Sequence, residues 1–122
     1  MNGDFSLTDL NLQAPIAVMK LTGRLNSLAA RDLHMHCESL YDDGYTRLII
    51  EMSGVTFIAS SGAGTLVKMT YDFLERDGLF QIAAVSDPVL RVIDLLNCRQ
   101  FLNIAADVDE AMENLDALNA SG

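Results

Sequence analysis

The sequence predicts an α/β layered domain whose small sheet is mostly parallel, with an antiparallel edge supplied by its first strands. Three observations carry that prediction. Ile16–Leu21, Leu48–Ile50 and Leu79–Val85 are apolar, β-favouring runs without polar alternation, the pattern of strands covered on both faces. Stretches with a 3.6-residue apolar period lie between them, over 28–43 and 63–74. From residue 16 onward the two kinds of segment alternate, which makes successive strands parallel neighbours under a helical layer. A chain of 122 residues reads as one domain spanning 1–122, since domains of roughly 100–150 residues are the commonest size.

Taken in order, Phe5–Leu10 reads as a first edge strand. Gln13, Ala14 and Pro15 then punctuate, and Ile16–Leu21 forms a strand ending at Thr22 and Gly23. Ser27 is placed to cap the next helix, whose core face is Ala29, Leu33, Cys37, Leu40 and Tyr41 and whose stop is Gly44. The segment from Arg47 to Gly64 is the centre of the chain. Leu48–Ile50 make an interior strand, Ser53 and Gly54 supply a turn, and Val55, Phe57 and Ile58 return to the core. Ser60, Ser61 and Gly62 then open a helix, where small residues leave backbone amides free to face an anion.

That helix puts Ala63, Leu66, Val67, Thr70, Phe73 and Leu74 on one face and ends near Asp77 and Gly78. After the strand at Leu79–Val85, Ser86, Asp87 and Pro88 open another helix, with proline in the first turn where its missing N–H costs nothing. Val89, Val92, Ile93 and Leu96 form its core face, flanked by Leu90 and Leu95 as a contact patch. Phe101–Ala105 gives a last short strand. Asp107 with Glu110 then makes a capping-box pattern ahead of Val108, Ala111, Met112, Leu115 and Leu118.

Charge excludes some partners. Eight basic against seventeen acidic side chains give a net charge of −9, and the basic residues are scattered, so the clustered Lys and Arg that phosphate contacts need are missing. Nucleic acid and an anionic membrane surface are therefore not expected. No apolar run approaches the roughly 18 residues of a membrane helix, so no membrane insertion is expected. The opening MNGDFSLTDL lacks the basic-then-apolar pattern of a secretory segment, and the cytoplasm is the expected compartment. Cys37 and Cys98 have no CxxC spacing and read as buried structural thiols.

An enzyme would need a constellation of acid, base or nucleophile, and none forms from sequence. His34 and His36 are two apart on one helix and cannot share a zinc ion. Ser60 and Ser61 lack the G-x-S-x-G frame of a nucleophile elbow, because Ile58 stands at its first glycine. Gly62, Ala63 and Gly64 begin like a dinucleotide fingerprint, but Val67 replaces its third glycine, which leaves a small-nucleotide binder as a runner-up. No cofactor, no metal and no catalytic residue are expected.

Two motifs resemble one family across nearly the whole chain. LTGRLN at 21–26 resembles the LTGELD strand end of STAS domains, and RLIIEMSGVTFIASSGAGTL at 47–66 resembles their strand, turn and D-S-S-G-L-G signature. The resemblance implies a small mixed sheet of four or five strands with helices mainly on one face. It further implies a free-standing anti-sigma factor antagonist, which is not an enzyme and controls transcription by partner switching. In that scheme an anti-sigma factor that is also a serine protein kinase phosphorylates Ser60, which breaks the complex, and a PP2C-type phosphatase restores it. Partner contacts would come from Asn26, Ser27, Ala59, Ser60, Ser61, Gly62, Thr65 and Met69. Ala59 and Asn26 stand where the family motifs carry aspartate; the missing carboxylate beside Ser60 implies slower phosphorylation. The alternative role is a STAS regulatory subunit of a membrane transporter, docked through the same helix.

Overall fold

A computed structural model describes the backbone of residues 5–121 and the side chains of residues 5–115. Five strands, β1 (Phe5–Gln13), β2 (Ile16–Leu25), β3 (Arg47–Ile58), β4 (Leu79–Ala83) and β5 (Ile104–Ala105), form one sheet in that spatial order. β1 is antiparallel to β2, and β2 through β5 are parallel. The helices are α1 (Ser27–Asp42), α2 (Ser60–Glu75), α3 (Asp87–Leu95) and α4 (Val108–Ser121), and a 3-10 turn spans Arg99–Phe101.

The helical layers follow from connection handedness. Strand order advances from β2 to β5 without reversal, so right-handed crossovers place α1, α2 and α3 on the same face. The core on that face joins Met19, Leu21, Leu48, Ile50 and Phe80 of the sheet to Leu33 and Cys37 of α1, Leu66 and Phe73 of α2, and Ile93 of α3. α4, after the last strand, covers part of the other face, where Ala111 and Leu115 meet Val18, Ile49, Ala83 and Ala105. Gln81 on that side is buried with a partner at each polar atom: its Nε2 donates to Ala111 O at 3.1 Å, and Asn114 Nδ2 donates to its Oε1 at 3.1 Å. The expected mixed sheet with helices mainly on one face is what forms.

Several boundaries differ from the sequence expectation, each for a local reason. β2 runs through Thr22 and Gly23 to Leu25, because two register shifts let it keep pairing with β3 while Gly23 takes a φ of 96°. Ser53 and Gly54 make no turn: β3 continues to Ile58, and Ser53 instead binds the Glu51 carboxylate, with its N–H at 2.7 Å and its hydroxyl at 2.8 Å. Phe57 points outward and is 37% exposed. Leu74 and Leu96 lie outside the core, as does Phe101, whereas Leu95 is exposed as expected. Phe101 belongs to the 3-10 turn, so the last strand shrinks to two residues. Half of the capping box forms at α4: Glu110 N–H donates to Asp107 Oδ1 at 2.8 Å, while Glu110 Oε1 accepts from Ala106 N–H at 2.9 Å, one residue before the cap. The side chain of Leu118 lies outside the described residues.

At the C-terminal end of α2 a side-chain network ties it to α1. Arg76 donates to both Glu38 oxygens, at 3.3 and 2.8 Å, and lies 4.1 Å above the Tyr41 ring. Tyr41 packs edge-on to Phe73 with centroids 5.4 Å apart and donates its hydroxyl to Arg76 O at 3.2 Å. The Arg76 hydrogen bond holds the Glu38 carboxyl below its ordinary range. Cys37 and Cys98 are buried, and burial raises both thiols, so both are packing groups at neutral pH.

Candidate functional site

The carboxyl ends of β2 and β3 lie side by side, with Leu25 paired to Ile58. Each strand passes directly into a helix. Asn26 leads into α1 and Ala59 into α2, both in extended conformation. Ala59 N–H donates to Leu25 O at 3.0 Å, which stitches the two junctions together. The first turns of α1 and α2 therefore start from one short stretch of sheet edge, where parallel α/β sheets place their sites.

The two helix starts are finished differently. Asn26 Oδ1 accepts from Ala29 N–H at 3.0 Å, so Asn26, and not the expected Ser27, is the cap of α1. A residue before the first helical turn has the extended backbone that lets its side chain reach back, which Ser27, already helical, lacks. Ala59 offers only a methyl, and α2 has no side-chain cap. Its first turn closes with Ala63 N–H on Ala59 O at 3.0 Å, which leaves the N–H groups of Ser60, Ser61 and Gly62 ahead of the helical ladder. Neither helix carries an acidic residue in its first turn.

Around this start the residues sort by exposure. Ser60 and Ser61 are exposed, Asn26, Ala59 and Thr65 are half-buried, and Ser27 is exposed. Gly62 is pressed against the strand ends, where a Cβ would meet Leu25 O at 2.6 Å and Ile58 Cγ1 at 3.2 Å. Only glycine permits that approach. Met69 is fully buried; a helix turn that faces the sheet offers no partner contact, and its place among the expected contact residues is corrected. The structure thus gathers Asn26, Ser27, Ala59, Ser60, Ser61 and Thr65 at one edge, with Gly62 as the packing point beneath them.

Sequence reasoning missed three residues at this edge. Arg24 and Phe57 pair across the strand ends, with the guanidinium carbon 4.2 Å from the ring centroid, and Leu28 is 51% exposed on the first turn of α1. Arg24 carries a signal of its own, as the one charged residue in LTGRLN. The two histidines face separate carboxylates, His34 near Glu38 at 4.0 Å and His36 near Asp9 at 3.6 Å. Chemically the arrangement presents the exposed Ser60 hydroxyl at the positive end of a sixteen-residue helix, where a negative group is stabilised.

Comparison with known proteins matches residues 8–111 to the model of the STAS domain. A Thermotoga maritima protein assigned as an anti-sigma factor antagonist is 25% identical over 92 residues, which cover 72% of this chain and 81% of that protein. Among solved structures, the unphosphorylated form of the anti-sigma factor antagonist SpoIIAA of Bacillus has a TM-score of 0.72 at 18% identity, covering 93% of this chain and 96% of that one. Its phosphorylated form has a TM-score of 0.68 at 16% identity, covering 90% and 99%. A sulfate transporter family protein from Wolinella succinogenes has a TM-score of 0.74 at 15% identity, covering 90% and 92%. At these identities the structural likeness is one of fold.

Proposed function

The chain belongs to the STAS domain family, and from that membership we propose that residues 1–122 form one STAS domain acting as a non-enzymatic anti-sigma factor antagonist in the cytoplasm. Unmodified, it binds an anti-sigma factor that is also a serine kinase; phosphorylation of Ser60 ends the complex, and a PP2C-type phosphatase restores it. The observation that carries this reading is Ser60 itself, exposed at the first position of a helix whose start has no side-chain cap. A phosphoserine there adds about 1.5 to 2 negative charges at the positive end of α2, which the free protein stabilises. The same charge under a docked partner loses its water and destabilises the complex. The Thermotoga relative supports the choice of role. Among the described residues no helix is long and apolar enough to cross a membrane.

The experiment is calorimetry against the purified kinase-like partner, with a time course of Ser60 phosphorylation by mass spectrometry. Ser60→Ala keeps binding and takes no label, whereas Ser60→Asp weakens binding. Equal affinity of all three proteins refutes the reading. The fold likeness to a sulfate transporter family protein supports a second role, as a regulatory subunit of a transporter. Capture of a transporter ATPase, unaffected by Ser60→Asp, identifies that role instead.

A further inference from the structure

The sheet edge around Ser60 differs in charge from the rest of the molecule. From Leu21 to Leu28 and from Met52 to Val67 the chain has no Asp or Glu, and Arg24 is its one charged side chain, although the net charge is −9. Arg24 makes no ion pair among the described residues. Its guanidinium carbon instead lies 4.2 Å from the centroid of the exposed Phe57 ring, and a guanidinium held over a ring can still offer N–H donors to a carboxylate. Along the same edge the sign reverses. Asp87 opens α3 beyond β4, and Asp109 and Glu110 lie in the first turn of α4 beyond β5.

A cation on an aromatic ring, on the two strand ends that lead into exposed Leu28 and the neutral serines, has the composition of an interface anchor, where Arg and aromatic residues dominate. We propose that Arg24 and Phe57 form the specificity-determining contact of this edge and receive an acidic segment of the partner protein. This rests on the reading of the Ser60 edge as the partner-binding surface. The opposite charges at the α3 and α4 starts then set the orientation, since a segment docked the wrong way round brings carboxylate against carboxylate.

The test begins without the partner. The full chain, labelled with 15N, is titrated with a Glu-rich peptide and, separately, a Lys-rich peptide of equal length, each carrying one leucine. The Glu-rich peptide should shift the amides of residues 23–28 and 56–61. Arg24→Glu should abolish those shifts, Arg24→Lys should retain part of them, and added salt should weaken them. Absent shifts, or equal shifts in Arg24→Glu, overturn the inference. A single-stranded oligonucleotide acting as well as the peptide overturns it too, by identifying a general polyanion surface. Against the purified kinase-like partner, Arg24→Glu should lower affinity by about tenfold or more, as opposed charge pairs at interfaces do. Binding lost by Ser60→Asp but unchanged by Arg24→Glu refutes the Arg24 contact and leaves the Ser60 reading standing. Peptide shifts with no kinase binding refute the Ser60 reading and leave the Arg24 surface standing.

Discussion

The two ends of the α1/α2 layer are held by different means. At the C-terminal end of α2, Phe73, Tyr41, Arg76 and Glu38 form a closed set of ring contacts and charge-assisted hydrogen bonds. At the N-terminal end, backbone does the holding: Ala59 N–H on Leu25 O, and Gly62 seated on the strand ends. The difference explains how α2 can leave its first amides without a side-chain cap. With the far end fixed by side chains, the N-terminal end keeps backbone donors and an exposed serine at its surface.

The strongest way to break this contrast is Phe73→Ala, which removes the fully buried ring at the anchored end. It should cost about 3 to 5 kcal/mol in urea melts. A loss under about 1 kcal/mol would mean that α2 is not anchored there. Next in size is Gly62→Ala at the other end. The added methyl meets a backbone oxygen, Leu25 O, that cannot give way as a side chain tip does, so the expected cost is about 1 to 3 kcal/mol. An unchanged melting midpoint would show that close packing on Leu25 does not set the start of α2.

Ala59→Asp erases the contrast between the two helix starts by giving α2 a cap equivalent to Asn26. The gain should be about 1 kcal/mol of stability. Because the new carboxylate also lies beside the Ser60 hydroxyl, the proposed phosphorylation by a cognate kinase should accelerate; a contact worth about 1.4 kcal/mol in the transition state is tenfold in rate. Thermal melts and a mass-spectrometric time course read the two effects separately. Wild type melting and reacting like the variant would refute both.

The smallest effect concerns Glu38. Its carboxyl is held low chiefly by the Arg76 hydrogen bond, so the pair stabilises the fold above the ordinary carboxyl value of 4.5. That contribution is lost as pH falls through the lowered folded-state value. Glu38 is about one-third exposed, so solvent screening limits the contribution to a few tenths of a kcal/mol. Glu38→Gln should therefore lose little at pH 7 and flatten the acid side of the stability curve. Identical acid profiles would place the anchoring in the aromatic contacts alone.

How far the fold was legible follows from the kind of signal each element carries. Uninterrupted apolar runs and the 3.6-residue period are local properties, so Leu66 and Phe73 read as interior and are fully buried, and Asp107 accepts from Glu110 N–H as a cap should. Signals that depend on a neighbour misled. Ser53 and Gly54 have turn chemistry, yet β2 stays paired beside them past its own Thr22 and Gly23, and both strands run on. Leu74 and Leu96 satisfy the helical period but lie where no element covers them.

At the site, the sequence by itself determined a serine pair at a helix start and the absence of an acid at 26 and 59, because each is a matter of residue type and adjacency. Only the tertiary structure decided that Asn26 caps α1 while α2 has no side-chain cap, that Met69 turns inward, and that Arg24 lies over Phe57. The physical reason is range. Helix periodicity and capping chemistry act within a few residues, whereas burial, stacking and the charge of a sheet edge arise between segments about thirty positions apart, and the strand register alone brings those together.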